Sequence, residues 1–145
     1  LNTVLFLCTG NFYRSRFAEL LFNALAERGS LDWRAVSRGI AIERGAPFLT
    51  PIYPAVLREL RARGLAPEGI LPYPRQLLAE DLARADRIIA LYEPEHRPLL
   101  AERFPGWQET VEYWQVPDVG LLPASQGLAA IERNVRCLLR QLASS

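Results

Sequence analysis

Thr3-Val4-Leu5-Phe6-Leu7-Cys8 runs directly into Thr9-Gly10-Asn11-Phe12-Tyr13-Arg14-Ser15. A continuous apolar run of this length is expected of a strand buried on both faces of a parallel sheet. From Arg14 to Arg28, Phe17, Leu20, Leu21, Ala24 and Leu25 recur at helical spacing, and Gly29 stops the pattern. A buried strand, a tight loop and a helix in that order open an α/β fold.

The rest of the chain continues the alternation. Trp33–Ser37 predicts a second strand, and Gly39, Gly45 and Pro47 mark a loop. Tyr53, Val56, Leu57 and Leu60 predict a helix ending near Gly64, followed by a turn-rich stretch from Pro67 to Pro74. A short helix is expected over Leu77–Leu82 and a third strand over Arg87–Leu91. Pro94 opens a helix to Phe104, and Thr110–Gln115 is a fourth strand candidate. Leu128, Ile131, Val135, Leu138 and Leu142 form the stripe of a closing helix. This order predicts a four-stranded parallel sheet with helices on both faces, in a single domain spanning residues 1–145.

Composition narrows the function. The 145 residues carry 17 basic and 16 acidic side chains, a net charge of +1. That balance gives no electrostatic case for nucleic acid or an anionic membrane. Every basic residue is arginine, which removes Schiff-base chemistry and a Walker-type lysine. One histidine, His96, and two distant cysteines, Cys8 and Cys137, make neither a zinc site nor a disulfide framework. No metal or other cofactor is expected, and a reducing, cytoplasmic setting is the default. The apolar runs are too short to span a bilayer, and no signal-peptide pattern is visible.

In a parallel α/β sheet the working site lies at the carboxyl ends of the strands. Three loops qualify there: Cys8–Ser15, Ser37–Pro47 and Val116–Gln126. The first has the makings of an anion cradle. A tight strand-to-helix loop turns successive N–H groups inward, and the helix adds its positive end. Gly10 and Asn11 tolerate the left-handed backbone such a loop needs. Arg14 can grip two oxygens of a tetrahedral oxyanion. The same positive field favours the thiolate of Cys8, which would face a bound phosphate as an in-line nucleophile. Ser15 could donate its hydroxyl to the sulfur. A leaving ester oxygen also needs a proton donor. Asp118, in Val116-Pro117-Asp118-Val119-Gly120, lies on the same rim. His96, between Glu95 and Arg97 in a helix, is expected on a solvated surface. Cys137 is expected to be a packing residue, and Arg58, Arg61 and Arg63 a solvated face. Asp81 and Asp86, at the opposite rim, are expected to be structural.

Cys8-Thr9-Gly10-Asn11-x-x-Arg14-Ser15, with Pro117-Asp118 late in the chain, resembles the low-molecular-weight protein tyrosine phosphatases. Ser37-x-Gly39, Arg75-Gln76-Leu77 and Ala85-Asp86-Arg87-Ile88-Ile89 resemble further segments of that family, so the similarity spans essentially the whole chain. The resemblance implies a flavodoxin-like three-layer fold and a two-step, metal-free mechanism. Cys8 would form a phosphocysteine. Arg14 and the loop residues Thr9, Gly10, Asn11, Phe12 and Tyr13 would bind phosphate. Asp118 would serve as general acid, then base, and Ser15 would stabilise the thiolate. Asn11 and Ser37 would hold the loop in shape. The implied substrate is a phosphotyrosine-containing protein or a small aryl phosphate.

The chain also departs from that family. Tyr13 stands where a second cysteine is frequent, Arg16 where proline follows Arg-Ser, and Pro72 where a histidine precedes Arg-Gln. Phe12 replaces a smaller residue, and its bulk disfavours arginine phosphate. Asp118-Val119-Gly120 replaces Asp-Pro-aromatic, and the Ser37–Gly45 loop lacks the aromatic that lines the pocket lip. Phe12 and Tyr13 could supply that surface, while Trp33, Phe48 and Tyr53 could be lip, core or interface. Two other functions compete. A non-catalytic oxyanion-binding or redox-regulatory module would need only the cradle. An arsenate reductase would need relay cysteines after the third strand, and Leu91–Arg97 has none.

Overall fold

A computed structural model of the chain describes residues 1–144. Four strands, β1 (Asn2–Cys8), β2 (Trp33–Gly39), β3 (Arg87–Ala90) and β4 (Glu112–Tyr113), form one sheet in the order β2-β1-β3-β4. All three pairings are parallel. Five helices complete the fold: α1 (Arg14–Arg28), α2 (Pro54–Ala62), α3 (Ala79–Arg84), α4 (Glu93–Arg103) and α5 (Ala124–Ala143).

The continuous apolar run of β1 follows from its place inside the sheet. Val4 and Phe6 join the core under α1, α2 and α5. Leu5 and Leu7, on the opposite face, join the core under α3 and α4. Alternate side chains of a strand point to opposite faces, and here both faces are covered. From β1 the chain passes to one neighbour, β2, and later returns to the other, β3. The carboxyl end of β1 is therefore the topological switch point, where open α/β sheets form their ligand crevice.

Helix α1 matches the predicted Arg14–Arg28 residue for residue. Helix α3 begins later than predicted because Leu77 is drawn to the sheet. The Leu77 N–H donates to Gly39 O, and Asp81 Oδ2 accepts from the Leu78 N–H to start the helix. Strand β4 is shorter than predicted because Thr110 and Val111 are still in a turn, both donating to Trp107 O. Asp86 accepts from the Thr3 N–H and Asp81 lies 3.4 Å from Arg38, so both are structural, as expected.

Three surface expectations need correction. Cys137 is exposed, because it sits one residue from Leu138 and so about 100° around the helix from the buried stripe. Arg63 is not merely solvated. It pairs with Glu59 and Glu132 and lies over the Phe17 ring. His96 is fully buried in the first turns of α4 rather than exposed. No helix of the described residues is long and apolar enough to cross a membrane.

Candidate active site

Cys8 ends β1, and the loop from Thr9 to Tyr13 carries the chain to Arg14, the first residue of α1. The loop is fastened from outside through its carbonyls. Cys8 O accepts from Ile40, Thr9 O from Ala41, Phe12 O from Tyr53 and Tyr13 O from Phe17. The N–H groups of Gly10 to Tyr13 donate to no protein group among the described residues. Carbonyls bound on the outside and free amides within are what an anion cradle requires. Asn11 has the left-handed backbone, with φ of 53°. Gly10 does not, so that part of the expectation is corrected. A Cβ there would meet only the Phe48 ring, at 3.9 Å. The glycine that the loop demands is Gly39 of β2, where a Cβ would stand 2.8 Å from Thr9 O and 3.0 Å from Asn11 N.

A chain of side chains sets the sulfur. Ser15 Oγ lies 3.0 Å from Cys8 Sγ. Asn11 Nδ2 donates to Ser15 Oγ at 2.9 Å and to Ser37 Oγ at 3.0 Å. With its oxygen accepting from Asn11, Ser15 has its own proton free for the sulfur. Ser37 in turn donates to Glu19 Oε1, and Asn11 Oδ1 accepts from the Arg75 N–H at 2.9 Å. The four expected residues Cys8, Asn11, Ser15 and Ser37 thus form one buried network. Glu19, which anchors its far end, is an addition. Burial pushes the Glu19 carboxyl up, against the pull of Ser37 and nearby arginines.

Arg14 is 2% exposed, and its orientation is fixed by a residue not anticipated from sequence. Nη1 donates to Glu95 Oε1 at 3.1 Å and to Val116 O at 3.0 Å, and Nη2 donates to Glu95 Oε2 at 2.7 Å. Nη1 has then used both its protons. Nε and the second Nη2 proton remain, which is one edge of the guanidinium fork, the edge suited to two oxyanion oxygens. Thr9 Oγ1 also donates to Glu95 Oε2, at 2.5 Å. Burial opposes ionisation of Glu95, but the approach of His96 and the Arg14 guanidinium outweigh it and hold the carboxyl well below the usual carboxylate range. Tyr92 N–H donates to His96 Nδ1 at 3.0 Å, so a neutral ring carries its proton on Nε2. That atom lies 3.1 Å from Glu95 Oε2, off the line a hydrogen bond needs. Burial depresses the His96 pKa.

Asp118 stands at the mouth with its side chain 56% exposed and Oδ2 3.9 Å from Arg14 Nη2. The Val119 N–H donates to Asp118 Oδ1 at 2.9 Å, which aims the carboxylate. Cys8, Thr9, Gly10, Phe12, Tyr13, Arg14 and Asp118 line one cavity of about 260 Å³. Phe48 and Tyr53 complete its rim. Phe12 lies 5.3 Å from the Phe48 ring and 5.9 Å from that of Tyr53. Phe48 and Tyr53 are therefore lip residues, whereas Trp33 packs at the margin of the core. Phe48 supplies an aromatic lip that the Ser37–Gly45 loop lacks. Tyr13 points away from solvent: its hydroxyl donates to Ala124 O at 3.3 Å, and burial pushes its pKa up to about 12. Arg16 is buried too, donating to Pro51 O and Pro72 O at 2.9 Å each and to Asn11 O at 3.5 Å.

Glu95 was within reach of sequence reasoning. It follows β3 on the same rim as the three loops considered, and the strand-end rule applies to all four strands. Glu19 and Arg16 had no such signal, because a charged residue in a helix reads as surface. No group of acidic, histidine or cysteine residues able to hold a metal occurs among the described residues.

The chain is similar in sequence to a protein-arginine-phosphatase of Bacillus subtilis, at 28% identity over 97% of this chain and 93% of that protein. It is 36% identical to the low molecular weight protein-tyrosine-phosphatase YfkJ of the same organism, over 61% of this chain and 55% of that protein. The crystal structure of YfkJ superposes with a TM-score of 0.81 at 27% identity, covering 99% of this chain and 96% of the other. The sequence profile of the low molecular weight phosphotyrosine protein phosphatases matches residues 3–144, so the chain belongs to this family of cysteine-based phosphatases, with Cys8 in its phosphate-binding loop.

Proposed function

We propose that the protein hydrolyses aryl phosphate monoesters, phosphotyrosine in a protein among them, through a phosphocysteine on Cys8. The observation that supports this most directly is the network ending at the sulfur: Asn11 donates to Ser15, which leaves the Ser15 proton for Cys8. Ser15 thereby stabilises the thiolate both before attack and when it leaves. The sulfur forms a bond to phosphorus as the ester oxygen departs. Arg14 and the loop amides hold the non-bridging oxygens through the transition state. Asp118 protonates the departing oxygen, then takes a proton from the water that breaks the S–P bond and releases phosphate. The balance closes with a free thiolate, a phenol and inorganic phosphate.

The rim supports an aromatic substrate. Phe12, Phe48 and Tyr53 offer ring faces and edges at the cavity mouth, the geometry that aromatic pairs prefer. Similarity to an arginine phosphatase over nearly the whole chain makes phosphoarginine the second substrate class to test. The cationic guanidinium of that substrate would meet Arg44, which also lines the cavity.

The test is hydrolysis of para-nitrophenyl phosphate, a phosphotyrosine peptide and a phosphoarginine peptide with EDTA present. Cys8→Ser should abolish turnover, and Asp118→Asn should lower kcat by about 10²–10⁴-fold. Preference for the phosphoarginine peptide would overturn the substrate assignment. Phosphate binding without turnover by reduced protein would leave an oxyanion-binding module instead.

A further inference from the structure

A second cavity, of about 520 Å³, lies beside the catalytic one. Helix α2 forms one wall with Pro54, Leu57, Arg58 and Arg61. These positions, spaced by three and four, share one face of the helix. Ile70 and Leu71 form the opposite wall, and the Thr50–Ile52 turn closes the end. We propose that this groove docks an acidic segment of a phosphoprotein substrate that also carries an aliphatic side chain, while the phosphorylated residue occupies the catalytic cavity. The inference rests on the phosphatase function for its kinetic consequence, and on the groove alone for binding.

Three observations carry it. First, the groove is apolar and uncovered. Ile70 is fully exposed, with Leu57 and Leu71 half-buried in the same lining. Clustered exposed aliphatics next to a concave surface mark contact sites. Second, its charge is one-sided. Arg58 and Arg61 are exposed and form no ion pair among the described residues. Arg63, at the end of the same helix, holds Glu59 and Glu132. Two arginines three residues apart repel each other until a carboxylate arrives. Third, the groove and the catalytic cavity share a wall. Tyr53 lines the catalytic cavity, and Pro54, the next residue, lines the groove.

The charge also selects the occupant. In a two-fold contact between copies of this chain, Arg58 and Arg61 of both copies would converge with no carboxylate supplied by the groove. An acidic segment neutralises both arginines, and its aliphatic residue covers Ile70 and Leu57.

The experiment compares wild type with Arg58→Glu/Arg61→Glu and with Ile70→Ser. Substrates are para-nitrophenyl phosphate and two pairs of phosphotyrosine peptides. Each pair has Glu-Glu-Leu or Ser-Gly-Ser flanks, on the amino side in one pair and on the carboxyl side in the other. Wild type should favour one Glu-Glu-Leu peptide by about tenfold in kcat/KM, mainly through KM, as complementary rim charges act. The charge-reversed variant should lose that preference with kcat/KM on para-nitrophenyl phosphate unchanged, and Ile70→Ser should lose part of it. Fluorescence anisotropy with the unphosphorylated Glu-Glu-Leu peptides reads docking without catalysis, so a protein that turns over nothing still tests the groove. Equal kcat/KM for the flanked peptides, or a preference that survives charge reversal, would overturn the proposal. Dimerisation in sedimentation experiments that Ile70→Ser abolishes would assign the groove to a second copy, and would overturn it also.

Discussion

Replacing Glu95 by Gln removes one negative charge from beside a buried guanidinium and changes almost no volume. Glu95 accepts two bonds from Arg14 and one from Thr9. Glutamine keeps one carbonyl oxygen for these donors and turns an amide nitrogen toward the other. One charge-assisted bond is lost and the rest are weakened, and such bonds contribute about 1.5–3 kcal/mol each. The Glu95 side chain is 29% exposed, so water recovers part of that, and we expect a loss of about 2 kcal/mol at pH 7. The pH dependence carries the signature. A carboxyl held below its unfolded pKa stabilises the fold above that value, and the contribution is lost as pH falls toward the folded pKa. The carboxyl's share of the difference between wild type and Glu95→Gln should therefore shrink below about pH 4.3. His96 adds a second difference, because Glu95 raises its pKa against the burial that lowers it, and the variant lacks that support. The folded pKa of His96 is depressed, so protonation favours the unfolded chain and stability declines as pH drops below about 6.5. Urea unfolding from pH 3.5 to 8 reads both effects. kcat should also fall in Glu95→Gln, because Arg14 is no longer held with one edge toward the substrate. A variant as stable as wild type at pH 7, or a difference that fails to shrink below about pH 4.3, would refute the assignment of Glu95 as the anchor of Arg14.

Phe48→Ala should raise KM for aryl phosphates by about 3- to 10-fold, the worth of an aromatic contact, with kcat little changed in steady-state assays. Asn11→Ala should cost about 3 kcal/mol and most of kcat, because it breaks three bonds and places alanine at a left-handed φ. Asn11→Gly should recover about 1 kcal/mol of that in chemical unfolding without restoring kcat. Excess peroxide should carry Cys8 past the sulfenic acid, since Tyr13 offers no thiol beside it. Dithiothreitol would then fail to restore activity, and mass spectrometry should find two added oxygens on Cys8.

The apolar run of β1 and the stripe of α5 were legible because burial imposes a period on the sequence. The loop from Cys8 to Ser15 was legible because its residue types serve one geometry together. Phe48 and Tyr53 could be named but not located, since a loop aromatic has no periodicity to say which way it faces. His96 was misplaced for a related reason. Helix α4 carries Glu95 and Arg97 on either side of it, and charged neighbours suggest a surface. In the fold, Glu95 turns inward to Arg14, and His96 is buried with it. Arg16 and Glu19 show the same limit, because their partners are carbonyls and a hydroxyl contributed by distant parts of the chain.

Arg16 has a consequence for how the site responds to solvent. A proline at this position would shape the loop by ring geometry, which no solute can compete away. Arg16 instead joins the phosphate-binding loop, the Pro51 turn and the Pro72 stretch through three carbonyl groups. Urea and guanidinium ions bid for those same carbonyls. The aromatic rim should therefore slacken at denaturant concentrations that leave the sheet intact, and KM should drift upward before any loss of fold. The hydroxyl-to-sulfur network lies deeper and is tied to the strands, so kcat should hold until the molecule unfolds. Affinity would then yield to the medium first, with chemistry yielding only to denaturation.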